Sequence, residues 1–128
     1  MRLLLDTCTF LWIAAGADEL SVRARSLHED PANEVYLSAV SAWEIVVKHA
    51  LGRLPLPDAP SRWVPAVRER HGIAALPLAE DAALALERLP DVHRDPFDRM
   101  LVCQAAMQGM TILTPDPDIA RYPIATAW

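Results

Sequence analysis

The chain has 128 residues, of which 52% are hydrophobic and 23% are charged, and its net charge is −5. This composition excludes a disordered protein, and the length predicts one domain, residues 1–128, with a buried core. No apolar run approaches the roughly 20 residues of a membrane span, and Asp6 interrupts the first run, which argues against a membrane protein or a signal peptide. The acidic charge counts against a nucleic-acid binder, because such proteins are more often basic.

The two cysteines, Cys8 and Cys103, lie in apolar stretches. Neither belongs to a Cys-x-x-Cys pair or to a cysteine–histidine spacing typical of a zinc site. We therefore expect buried, reduced thiols, as in a cytoplasmic protein.

Apolar runs alternate with helical patterns along the chain. Short apolar runs predict strands at residues 2–5, 35–37, 73–76, 110–114 and 124–126. Apolar residues at helical spacing, ended by glycine or proline, predict helices at residues 7–15, 21–29, 41–51, 58–71, 79–89 and 96–108. Strands that alternate with helices predict an α/β fold in which a parallel sheet is covered by helices on both faces.

Four carboxylates lie where these elements begin or end. Asp6 and Asp116 follow the first and fourth predicted strands, and Glu44 and Asp98 lie in the first turns of two predicted helices. In open α/β sheets, ligands bind outside the carboxyl ends of the strands, at the point where the strand order reverses. Four acids that meet there would repel one another unless a cation lay among them, and hard ions such as Mg²⁺ take oxygen ligands. The sequence therefore predicts a metal-dependent site and, through it, phosphate chemistry.

Most of these acids also have a purely structural interpretation. Ser41 and Glu44 have the spacing of a helix capping box. Asp95 and Asp98 suit a helix start, with Asp95 as the N-cap and Asp98 favoured by the helix dipole. Asp116 lies between two prolines and suits a turn.

Asp6 fits a structural role least well, because a carboxylate that closes a buried strand is costly without a partner. A metal site accounts for all four acids together. The chain contains four histidines, none at a metal-ligand spacing, and only four glycines, with no glycine-rich phosphate loop. Phosphate would therefore be held by metal and arginine.

Four segments around these acids form a recognisable set. They are residues 3–8 (LLLDTC), 37–45 (LSAVSAWEI), 93–101 (HRDPFDRML) and 112–116 (ILTPD), and the likeness extends to residues 123–128 (PIATAW). The set resembles the PIN domain and, more narrowly, the VapC-type toxins of bacterial toxin–antitoxin pairs. The resemblance implies a three-layer α/β/α sandwich with a short, mostly parallel sheet, and a Mg²⁺- or Mn²⁺-dependent endoribonuclease.

The resemblance also assigns roles to the acids. The family's four acids match, in order, Asp6, Glu44, Asp98 and Asp116, and Asp95 is the extra acid of a subgroup. We expect Asp6 and Asp98 to hold the first metal ion directly. Asp116, Glu44 and Asp95 are expected to bind through water or to complete a second metal site, and Glu44 is the candidate proton acceptor.

The family implies supporting residues as well. A small hydroxyl residue stands beside the first acid, here Thr7, and another before the last acid, here Thr114. Apart from the resemblance, we expect Arg94 or Arg99 to steady the RNA backbone, although both suit a solvated helix start. Such toxins form homodimers and are silenced by a small antitoxin whose C-terminal arm enters the acidic groove, often with an arginine.

Three alternatives come from other interpretations of the same residues. A phosphatase of the haloacid-dehalogenase type would use Asp6 as nucleophile, but it needs a second aspartate where this chain has Cys8, and Lys48 is the only possible helper lysine. A catalytically silent binding module would keep the fold and the acids for a partner or a metal. A nuclease for DNA or for structured flaps would keep the chemistry and change the substrate.

Overall fold

The computed structural model describes residues 1–128 and has a five-stranded, entirely parallel sheet at its centre. The strands are β1 (Arg2–Leu5), β2 (Glu34–Ser38), β3 (Ala74–Leu76), β4 (Thr111–Leu113) and β5 (Thr126–Ala127). Their order across the sheet is β3-β2-β1-β4-β5. After β1, the chain adds β2 and β3 on one side of it and then β4 and β5 on the other side. The strand order therefore reverses between β1 and β4.

Seven α-helices connect these strands. They are α1 (Thr7–Ala15), α2 (Val22–Glu29), α3 (Ala39–Ala50), α4 (Pro60–His71), α5 (Glu80–Ala85), α6 (Pro96–Gln108) and α7 (Pro117–Ala120), and a single 3₁₀ turn, Leu86–Arg88, continues α5. None of them combines the length and the apolar character that a bilayer-crossing helix requires.

Alternating residues of β1 bury against two separate layers of helices. Leu3 and Leu5 face one apolar cluster with Phe10 of α1 and Val67 of α4, whereas Leu4 faces the cluster on the other side of the sheet. The second cluster contains side chains from α6 and α7. A parallel strand with helices on both faces is expected to be apolar throughout. The predicted three-layer α/β/α sandwich is confirmed, and the sheet is wholly rather than mostly parallel.

The helix boundaries follow from local capping. Asp95 is the N-cap of α6, as predicted, and accepts a hydrogen bond of 3.0 Å from the Asp98 amide. The capping-box interpretation of Ser41 and Glu44 is wrong. Ser38 caps α3 instead, accepting a 3.0 Å bond from the Val40 amide, and this places Ser41 inside the helix.

Three other sequence predictions need correction. The predicted helix at residues 79–89 is shorter and ends in the 3₁₀ turn. Helix α7 was not expected, because the prolines on either side of Asp116 favoured a turn. In the structure Asp116 is the N-cap, and Pro117 takes the first helical position, which suits proline. Both thiols are free, as expected, but only Cys103 is buried, whereas Cys8 is exposed.

The central strand offers a test of the packing. Leu4 is fully buried between α6 and the sheet. We expect Leu4→Ala to lower the free energy of unfolding by about 2–5 kcal/mol, because the substitution leaves a cavity in a packed core. Leu84→Ala is the matched control, since Leu84 is 64% exposed, and it should change stability by no more than about 0.5 kcal/mol. Urea unfolding of both variants makes the comparison, and equal losses would contradict the packing described here.

Candidate active site

The four predicted acids lie at the carboxyl-terminal edge of the sheet, where the strand order reverses. Asp6 directly follows β1, and Asp116 follows β4 after a two-residue connection. Glu44 lies on α3, which begins directly after β2, and Asp98 lies in the first turn of α6. Their charges act on one another: Asp116 raises the pKa of Asp6, and Asp95, Asp116 and Glu44 all raise that of Asp98. The structure therefore brings the predicted acids together.

Asp6 is held by hydrogen bonds from two threonines. The carboxylate is only 5% exposed. One oxygen, Oδ1, accepts a 2.8 Å bond from the Thr9 amide at the start of α1, and Oδ2 accepts a bond from the Thr114 hydroxyl. Burial raises the pKa of Asp6, while the bonds from Thr114 and Thr9 lower it in part. Thr114 also accepts a 3.0 Å bond from the Asp116 amide, so it ties two of the acids to one hydroxyl.

Glu44 is engaged at both of its oxygens. The residue is 5% exposed. Its Oε1 accepts a 2.6 Å bond from the Thr7 hydroxyl, whose oxygen lies 3.0 Å from the Ser41 hydroxyl. Its Oε2 is paired with the ammonium of Lys48, one turn further along α3. The bond to Glu44 raises the pKa of Lys48, so this lysine carries a permanent positive charge beside the acids.

Asp98 is joined to a histidine and a tyrosine. His93 Nε2 lies 3.2 Å from Asp98 Oδ2, and His93 Nδ1 lies 2.7 Å from the Tyr122 hydroxyl. Burial first, and then the charge of Asp95, raise the pKa of Asp98 to about 6, against the lowering effect of the His93 bond. A carboxyl group with this pKa exchanges its proton near neutral pH, which is typical of functional sites.

Arg99 serves the same local framework. Its Nη1 lies 2.9 Å from the Pro90 carbonyl oxygen, 3.3 Å from that of His93 and 3.1 Å from the Tyr122 hydroxyl. These bonds fix the loop that carries His93, so Arg99 affects the site by positioning this loop. Arg94, the other predicted phosphate-binding arginine, is exposed.

Several residues of this site were not predicted from the sequence. They are Thr9, Ser41 as a hydrogen-bonding residue, Lys48 beside Glu44, His93 and Tyr122. Lys48 has a detectable signal, because it follows Glu44 by four residues, the spacing of a helical ion pair. The contact of His93 with Tyr122 joins residues far apart in sequence, and no local pattern indicates it.

The charges of several of these acids also act on the thiol of Cys8. Partial burial of the thiol and then the nearby charges of Asp6 and Glu44 raise the pKa of Cys8 to about 11, and Lys48 only partly offsets them. A thiol with this pKa is protonated at neutral pH, so Cys8 is not a reactive nucleophile. The acids that add to this shift are the ones whose charge a bound cation would neutralise.

The side chains at this edge offer the type of ligand atom that a hard divalent cation prefers. The four acids and Asp95 all offer carboxylate oxygens. A bound cation would remove the repulsion between their charges. No three Asp, Glu, His or Cys side chains stand ready-arranged around a metal position. Glu44 and Asp98 are instead turned toward Lys48 and His93. A cation would therefore compete with these two nitrogen groups for oxygens that the protein itself already satisfies.

Comparison with known proteins fits this geometry. The family model described as the PIN domain matches residues 3–125. The chain belongs to the PIN-domain family. It is 39% identical over 101 residues to Ribonuclease VapC16 from Mycobacterium tuberculosis, a match that covers 79% of this chain and 67% of that protein. The family named from the sequence motifs is thus confirmed.

Solved PIN-domain structures share the fold. The VapBC2 complex from Rickettsia felis, bound to a DNA fragment from its promoter, aligns with a TM-score of 0.73 at 12% identity, covering 99% of this chain and 98% of that chain. The VapBC-1 complex from nontypeable Haemophilus influenzae aligns with a TM-score of 0.66 at 15% identity, covering 99% and 97%. At sequence identities this low, the similarity shows a shared fold and nothing more.

The raised pKa of Asp98 gives the metal-free protein a distinct pH dependence. Its folded-state value of about 6 lies above the unfolded value of about 3.9, so the folded protein binds the extra proton between those values. Stability must therefore fall as the pH rises from about 4 to about 6. Asp6, whose pKa is also raised, adds to this slope. We expect Asp98→Asn to flatten it.

Carboxyl ¹³C NMR of the metal-free protein measures the pKa of Asp98 directly, and urea unfolding across the same pH range measures the slope. Asp58 is the internal reference, because Arg62 holds the pKa of that exposed carboxyl below its usual value. An Asp98 that titrates together with ordinary surface aspartates would contradict the electrostatic coupling.

Thr114 provides a test of how Asp6 is held. Thr114→Val keeps the shape of the side chain but removes the hydroxyl that donates to Asp6 and accepts from the Asp116 amide. We expect a loss of about 1–3 kcal/mol in the free energy of unfolding, because a buried carboxylate loses a donor. The control is Thr111→Val on β4, three residues earlier, whose hydroxyl has no hydrogen-bond partner within the protein, and it should change stability by less than about 0.5 kcal/mol. Equal losses would show that the Thr114 hydroxyl is not needed.

Proposed function

We propose that this protein is a divalent-metal-dependent endoribonuclease and the toxin of a toxin–antitoxin pair. The observation that carries the proposal is the convergence of Asp6, Glu44, Asp98 and Asp116 at the switch point of a PIN-domain sheet. The 39% identity to a protein named Ribonuclease VapC16 supports RNA as the substrate.

The proposed metal site uses Mg²⁺ or Mn²⁺. Asp6 and Asp98 would hold the ion directly, and Asp116, Glu44 and Asp95 would bind through water or complete a second site. When bound, the ion makes a water molecule more acidic and offsets negative charge on the phosphate.

The chain's own residues prepare this site in three ways. Thr9 and Thr114 fix both oxygens of Asp6 and so set the direction of its free lone pairs. His93 orients Asp98 through its own bond to the Tyr122 hydroxyl. Thr7 donates to one oxygen of Glu44 and so orients that carboxylate, which is the candidate proton acceptor for the attacking water.

The proposed partners follow from the relatives. The solved neighbours include VapBC complexes, two of them with bound DNA. We propose that a small antitoxin places its C-terminal arm over the acidic edge of this protein and that the toxin forms a homodimer. An acid-lined edge is complementary to a basic arm, and an arginine is the side chain best suited to pair with carboxylates.

Asp6→Asn and Asp98→Asn test the activity. Each substitution removes a charge that the metal needs, and we expect each to lower RNA cleavage by about a hundredfold or more. The purified, antitoxin-free protein is incubated with total RNA, with Mg²⁺ or Mn²⁺, and in parallel with EDTA. Asp18→Asn is the matched control, because Asp18 is exposed and lies outside the site.

Discrete fragments that require the metal and vanish in both site variants would establish the nuclease, and the fragment ends would name its target. Wild-type rates from Asp6→Asn would refute the assignment of the site. No cleavage by folded, inhibitor-free protein under either metal would favour the silent binding module.

A further inference from the structure

Lys48 is the one lysine of the chain, and the structure places it against a buried acid of the candidate site. An i, i+4 lysine–glutamate pair on an exposed helix face is common and contributes little to stability. Here the glutamate side chain is only 6% exposed, whereas that of the lysine is 46% exposed. The pair therefore bridges the interior of the site and the solvent.

The ammonium of Lys48 lies close to several acids of the cluster. Its charge acts on Cys8 together with the charges of Asp6, Glu44 and Asp98, and it also interacts with that of Asp95. Lys48 and His93 are the two basic residues that contact acids of the cluster. The bond to Glu44 raises the pKa of Lys48, so its ammonium is charged at neutral pH.

The ammonium also has unused hydrogen-bonding capacity. A lysine carries three N–H donors, and Glu44 is the only protein group to which Lys48 donates. No other protein group accepts from the remaining donors, and nearly half of the side chain is exposed to solvent. Arg99, by contrast, uses Nη1 for the loop that carries His93.

An RNA phosphate that approaches this edge meets several carboxylates of the same sign. A fixed positive charge at the rim would offset part of that repulsion, and a lysine ammonium binds phosphate as a point charge. Glu44 is suited to anchor such a lysine, because Thr7 already fixes its other oxygen.

We propose that Lys48, anchored by Glu44, binds a non-bridging oxygen of a substrate RNA phosphate and so admits the RNA backbone to the acidic edge. This inference rests on the proposed ribonuclease function. It makes Lys48 a substrate-contacting residue and gives Glu44 the additional role of a positioning residue for Lys48.

RNA binding without cleavage tests the proposal separately from activity. The affinity for a single-stranded RNA oligomer is measured by fluorescence anisotropy in the Asp6→Asn background, at several salt concentrations. We expect Lys48→Gln to weaken binding by about tenfold, the effect of one charge-assisted contact. The slope of log affinity against log salt concentration should decrease by about 0.7, the value for one phosphate contact on a single strand.

Two variants separate charge from structure. Lys48→Arg keeps the charge and should retain most of the affinity and the full salt slope. The double variant Glu44→Gln/Lys48→Gln leaves no buried unpaired charge, so it remains informative if Lys48→Gln alone fails to fold. It should show the same reduced salt slope as Lys48→Gln. Arg70→Gln is the matched control, since Arg70 is exposed near the end of α4, four residues before β3 begins and so at the opposite edge of the sheet.

The outcomes distinguish the two proposals. If the wild-type protein cleaves RNA and Lys48→Gln binds it with the wild-type slope, the role of Lys48 is refuted and the nuclease stands. If Arg70→Gln lowers the slope as much as Lys48→Gln, the effect is one of net charge and the proposal is again refuted. If the wild-type protein does not cleave RNA, the proposed function fails, whatever the salt dependence of Lys48→Gln shows.

Discussion

This structure depends on how it meets one constraint, the free-energy cost of placing several carboxylates at one largely buried edge of a sheet. Asp6 and Glu44 are each 5% exposed, and an ionised carboxylate in such a position is costly unless donors surround it. The fold supplies those donors from four different elements. The Thr114 hydroxyl and a helix amide hold Asp6, a threonine and a lysine hold Glu44, and a histidine holds Asp98.

Those donors only partly offset the cost of burial and the repulsion between the acids. The pKa of Asp6 is raised and that of Asp98 is raised to about 6, which means that the folded state favours protonated carboxyls at this edge. The protein thus holds its acids together at a cost to its own stability in the absence of a counter-ion. Proteins commonly accept such a cost at functional sites, where the unfavourable arrangement is relieved by the ligand.

The sequence predicted the positions of the acids better than the network that holds them. Asp6 and Asp116 were placed correctly because a residue that ends a parallel strand lies at the same edge as its neighbours, whatever the side-chain details. The role of Ser41 was mistaken, since Ser38 offers a competing cap three residues earlier and backbone geometry selects between them. The contact between His93 and Tyr122 could not be predicted, because it depends on how the loop before α6 packs against the segment after α7.

The central claim is that the acids form one coupled cluster that accepts a divalent cation. Calorimetric titration of the metal-free protein with Mg²⁺, repeated in buffers of different ionisation heat, tests it most directly, because it counts the protons released on binding. The account predicts saturable binding with proton release near pH 6, the pKa of Asp98, and release that disappears by about pH 8, where that carboxyl is already ionised. Saturable binding should also be lost in Asp98→Asn. Binding that releases no protons near the pKa of Asp98, or that survives this substitution unchanged, would contradict the account.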